Sequence, residues 1–159
     1  MQISTHTILG LCLASCSVFA ADSASSLPSA SEVALSMILE RPRAYQNVCV
    51  AKDPSMRPGF EAALMDLRAR VETIAKPLLA SGQFSSLNRV LAPRELIEAV
   101  QEQNAALERQ ISGADPARDC PMFLANIARI DGEILRGGVQ QVLSGMQQTL
   151  AAMKAEGAQ

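Results

Sequence analysis

The chain of 159 residues sets 14 Lys and Arg against 16 Asp and Glu, for a formal net charge of −2. With its basic residues scattered, it offers no positive field to draw in nucleic acid or an anionic lipid surface. Its single histidine is His6, so from Thr7 onward the chain holds no Ser-His-Asp or Cys-His arrangement, no His-held haem and no His-bearing zinc site.

Residues 1–21 contain no Asp, Glu, Lys or Arg, and Ile8 to Phe19 form an apolar run. About a dozen residues cannot span a bilayer, which takes roughly 20, but they make a signal-peptide core. Export is the expectation, although the opening "MQISTHT" lacks the usual basic residue. Two cleavage readings compete. Leu13-Ala14-Ser15-Cys16 resembles the lipobox of bacterial lipoproteins, and that resemblance implies a diacylglycerol on Cys16 and an anchor in the outer membrane. Cleavage after Ala20 instead discards residues 1–20, Cys12 and Cys16 included, and leaves a periplasmic protein. The apolar run continues past Cys16 through Val18 and Phe19, which favours the second reading. A membrane is a partner only under the first reading, in which Cys16 is acylated.

Residues 21–31 are small and polar and read as a flexible linker. Within them Ser29-Ala30-Ser31-Glu32 has capping-box spacing, which opens a bundle domain over residues 32–156. Val33, Leu35, Met37, Ile38 and Leu39 follow helical spacing as far as Pro42, after which "RPRAYQNVC" continues as a kinked second piece. "KDPSMRPG" reads as a loop. Phe60, Leu64, Leu67, Val71, Ile74 and Leu78 recur every three or four residues, one apolar stripe of a helix. Asp66–Arg70 and Arg68–Glu72 are i,i+4 charge pairs off that stripe. Pro77 should bend or end this helix, and Gly82 closes it.

The segment "SSLNRVL" leads to Pro93, which suits a first helical turn and opens a helix carrying Leu96, Val100, Leu107 and Ile111. Asp115-Pro116 and Cys120-Pro121 mark the next start, followed by Phe123, Ile127, Ile130 and Ile134 in the same rhythm. Gly137-Gly138 interrupts, and the stripe resumes one residue out of step at Val139, Leu143, Met146, Leu150 and Met153. "VQQVLSG" and "MQQTLAA" form a heptad-length near-repeat with a Gln-rich outer face. No useful stretch alternates with period two. The expected fold is all-α, a single bundle of four to five helices.

After either cleavage, Cys49 and Cys120 remain, and an isolated pair in an oxidising compartment is expected to form a disulfide. Neither belongs to a C-x-x-C motif, so the bond reads as a staple rather than a redox centre. No phosphate-cradling glycine motif is present, and two cysteines alone cannot close a zinc site. No cofactor or metal is expected. Glu95, Glu98 and Glu102 share a helical flank, with Asp131 and Glu133 further on. Such spacing usually marks a solvated face rather than a general acid and base.

The expectation is therefore a non-enzymatic envelope protein acting by protein–protein binding, of immunity, inhibitor or secretion-accessory type. The face Val139, Leu143, Met146, Leu150 and Met153 is the candidate interaction surface. It could pack on its own bundle, pair with a second copy as a homodimer, or meet an envelope partner. In architecture the expected domain resembles the small helical pilotin lipoproteins that escort secretins in type II secretion, which are similar in size, anchored by an N-terminal Cys and often carry one disulfide. The resemblance is one of general design and assigns no binding residues. A carrier of lipid or small molecules in an interhelical cavity is the alternative from another class.

Overall fold

The computed structural model describes residues 27–156. The leader, both cleavage sites, Cys16 and the linker up to residue 26 lie outside them. Five helices follow in order: α1 (Ala30–Lys52), α2 (Arg57–Ala80), α3 (Arg94–Ile111), α4 (Asp119–Ala128) and α5 (Gly132–Glu156). Among the described residues the only β-type pairing is a single antiparallel bridge between Ser29 and Leu91. The fold is an all-α bundle with one disulfide.

α1 begins as its capping box requires. The Ser29 side chain accepts from the Glu32 amide, and the Glu32 carboxylate accepts from the Ser29 amide at 2.7 Å. The helix then runs unbroken through the buried Pro42, where a kinked second piece was expected. A proline inside a helix removes one backbone hydrogen bond and costs about 3 kcal/mol. Val33, Ala34 and Leu39 are buried before it and Ala44, Cys49 and Val50 after it. Burying a Val or Leu side chain contributes about 1.5–3 kcal/mol each, enough to hold both halves in one helix.

The "KDPSMRPG" loop is also shorter than expected. Asp53 caps a single 3-10 turn, Pro54–Met56, by accepting from the Ser55 amide at 3.0 Å. α2 follows at once, with Pro58 in its first turn, where the missing N–H would have had no helical partner anyway. Pro77 lies three residues before the end of α2 at Ala80 and closes it late rather than bending it in the middle. Pro93 stands just before α3 as its cap residue instead of inside the first turn.

The larger departure is between α4 and α5. The stripe was expected to run through Ile134 and break at Gly137-Gly138. Instead α4 ends at Ala128, and α5 starts at Gly132 and passes through both glycines. The Asp131 carboxylate accepts from the amides of Glu133 at 2.7 Å and Ile134 at 3.3 Å, which makes the start signal local and strong. Counted from there, Leu135, Val139, Leu143 and Met146 form one continuous buried stripe, and Ile134 faces solvent. The apparent one-residue slip at the glycines was a misplaced helix boundary.

α1 is central and touches all four other helices, while α2 also packs against α4 and α5. A helix surrounded on several sides needs small contact residues, and Ala30, Ala34, Ala44 and Cys49 supply them. Phe60, Leu67 and Val71 of α2 meet Val139 and Leu143 of α5 in the same core. The expected ion pairs of α2 both form, Arg68–Glu72 at 2.8 Å and Arg70–Asp66 at 2.9 Å.

Candidate docking groove

Cys49 and Cys120 are joined as a disulfide, with Cα atoms 5.7 Å apart and both residues fully buried. One turn away on each helix, Tyr45 of α1 stacks on Phe123 of α4, ring centroids 4.1 Å apart and 11° from parallel. Lys52, at the last turn of α1, donates through Nζ to the carbonyls of Ser112 and Ala114 and so ties the end of α3 to the same seam. At the start of α4 the Asp119 carboxylate is held below the usual carboxylate range, chiefly by its hydrogen bond from Arg118 and next by the Asp115 amide. This seam joins α1, the end of α3 and α4.

The five apolar residues singled out on α5 divide between two environments. Val139, Leu143 and Met146 are buried in the protein's own core. Leu150 and Met153 continue the same stripe but are only half-buried, Leu150 packing against the edge of the core. They form one wall of a groove of about 650 Å³, together with Gln147, Ala151 and Lys154.

The facing wall is Ser86, Leu87, Val90 and Pro93. Its course follows from two anchors. Phe84 and Leu87 plug the core around the 3-10 turn Ser85–Asn88, and Ala92 is buried at the far end. Between them the chain is held by the N-terminal segment: the Ala92 amide donates to the Pro28 carbonyl at 2.9 Å, and the Ala30 amide to the Val90 carbonyl at 2.8 Å. The Gln147 side chain donates to the Gln83 carbonyl and fixes this segment to α5. With its backbone pinned on both sides, the segment leaves Val90 and Leu91 turned outward, 41% and 57% exposed.

The groove floor is thus apolar, and its only charged lining side chain is Lys154. Arg89 and Arg94 flank the lining residues Val90 and Pro93, and among the described residues neither they nor Lys154 form an ion pair. In the wall segment the apolar positions Phe84, Leu87, Val90 and Leu91 recur every three or four residues, but for barely two turns between Gly82 and Pro93, too short a span for pattern alone to place them.

The other candidates from the sequence do not assemble into a site. Glu95, Glu98 and Glu102 are exposed on α3, and Asp131 caps α5. Among the described residues no three or more His, Cys, Asp or Glu gather as metal ligands, and no helix is long and apolar enough to cross a membrane. The chain matches no known family, no curated protein and no solved structure.

Proposed function

We propose that this chain is a non-enzymatic, exported protein of the cell envelope that works by binding another protein through the groove between Val90 and Met153. The groove itself carries the reading: an apolar helix stripe runs on past its own core and is met by a wall that turns Val90 outward. Apolar side chains framed by the polar Ser86, Gln147 and Lys154 reproduce on a small scale the apolar centre and polar rim of a protein–protein contact. Export rests on the leader pattern and is supported by the bonded cysteine pair, since disulfides persist in oxidising compartments. A lipid or small-molecule carrier calls for a cleft that encloses most of its ligand. The interhelical grooves here open to solvent, and that favours a protein partner.

One observation favours a pilotin-like version of this reading. The segment that leads back to Cys16 is pinned at Pro28 against Ala92, beside the groove wall. An acyl anchor at Cys16 would thus be joined to the bundle beside this groove.

The test is isolation of the mature protein, with whatever it holds, from the envelope fraction of a Gram-negative host. A protein partner recovered at close to one-to-one supports the reading, with a secretin subunit giving the pilotin-like version and a toxin domain the immunity version. A mature protein that always elutes alone overturns it. Intact mass on the same sample reads the anchor: a chain starting at Cys16 with acyl groups is a lipoprotein, and one starting at Ala21 is periplasmic.

A further inference from the structure

We propose that the groove takes an amphipathic helix of the partner, with apolar anchors seated between Val90 and Met153 and an acidic residue against Lys154; this rests on the protein-binding reading above. The shape argument comes from α5. Its stripe at Leu135, Val139, Leu143 and Met146 is covered by the bundle, and the same stripe then continues at Leu150 and Met153, which no α-helix covers and which look across the groove at the 86–93 segment. An amphipathic helix stays folded by burying one face against another element, and the place where that element would stand is open. A helix laid into it completes the bundle locally, the helix-in-groove mode of recognition.

Two other occupants fit less well. Small-molecule sites bury about 70–90% of their ligand, and this groove is too open for that. A stable homodimer buries at least about 1,200 Å² in all, whereas the accessible apolar part of the groove amounts to Val90, Pro93, Leu150, Ala151 and Met153. A partner helix needs only two or three anchors there. Charge then selects its chemistry. Lys154 is the one charged side chain that lines the groove, and no carboxylate does. An acidic flank is attracted to that rim and a basic one repelled.

The experiment is photo-cross-linking in the cell that makes the protein, with p-benzoylphenylalanine placed in the full chain at Val90 and, as controls, at Met65 and Ile134. The controls are 73% and 72% exposed and lie away from the groove. The expected result is a protein adduct at Val90 alone, mapped by mass spectrometry to a helical segment with Asp or Glu within one turn of the linkage. In the Val90-labelled chain, Lys154→Glu should lower the adduct yield about tenfold while Lys154→Arg preserves it. Both changes are at an exposed position, and an unchanged melting temperature shows that the fold is intact.

An adduct at twice the protein's own mass, a lipid adduct, or a yield indifferent to the charge at position 154 overturns the assignment. Protein adducts at Met65 or Ile134 but none at Val90 also overturn it, while leaving the protein-binding reading standing. No protein adduct at any of the three positions removes both.

Discussion

At the start of α1 the Ser29 hydroxyl donates to the Glu32 carboxylate at 2.8 Å and accepts from the Glu32 amide at 3.2 Å. Ser29→Ala removes both bonds and leaves the first-turn amide without its partner. The expected loss is about 1 kcal/mol, read as a lower urea midpoint. The same contacts hold the Glu32 carboxyl below its usual range, chiefly the hydrogen bond from the Ser29 amide and then the one from its hydroxyl. A carboxyl whose pKa is depressed by folding binds its proton more readily when unfolded. Its stabilising effect is therefore complete above the unfolded value and is lost as pH falls through the folded one. Asp119 behaves in the same sense through Arg118. No histidine follows His6, so none titrates in the bundle near neutrality. The melting temperature should be flat between about pH 6 and 8 and should fall below about pH 4. Glu32 is exposed and so is Arg118, the partner of Asp119, so the drop is shallow and is weakened further by salt. Comparison with Glu32→Gln isolates the cap: the gap between the two proteins should narrow as the medium is acidified. A gap that stays constant down to about pH 3 would place the shift elsewhere.

At the scale of elements, α5 shows how tertiary burial outweighs a local breaker. Two glycines cost a helix interior roughly 0.5–1 kcal/mol each relative to Ala. Leu135 and Val139 on either side are buried at 5% and 0% exposure, and each contributes about 1.5–3 kcal/mol. The helix runs on. A Cβ built at Gly137 meets nothing within 4 Å, so Gly137→Ala should raise stability by about 0.5–1 kcal/mol in urea titration. A loss of stability would mean that the glycine pair bends after all. This error in reading has a physical cause. Dipeptide signals such as Gly-Gly or a mid-helix Pro are local, whereas the burial that overrides them is set by partners far along the chain. The stripe of α2, the capping box at Ser29 and the Cys49–Cys120 pair were legible because each is written in local spacing or in elimination. Half of the groove was legible too, since Leu150 and Met153 sit in a visible stripe. Its other wall was not. The backbone that carries Val90 is held by partners distant in sequence: Gln83 meets Gln147, 64 positions away, and Pro28 pins Ala92.

On the scale of the whole molecule, the disulfide closes a loop of 71 positions that contains all of α2 and α3. Its effect is therefore felt mostly in the unfolded chain, whose freedom it restricts. Loop-closure entropy for that span comes to roughly 4 kcal/mol, an upper figure from which any native strain subtracts. Domains of this size are stable by only about 5–15 kcal/mol in total, so the bond is a large part of what keeps the bundle folded. The seam around it gains further from the Tyr45–Phe123 stack and from Lys52 at the end of α3. These contacts remain when the sulfurs are separated, so the reduced protein should still fold. Its urea midpoint should fall by the equivalent of a few kcal/mol, with a steeper transition because the unlinked chain unfolds to a more exposed state. Tyr45 is the only tyrosine and there is no tryptophan, which makes its fluorescence a direct report on this seam. The double variant Cys49→Ala with Cys120→Ala should behave as the reduced protein does, plus the cost of two small buried voids. If reduction leaves the midpoint unchanged, the helices hold one another without the bond, and the staple has no share in the stability of the groove that α5 presents.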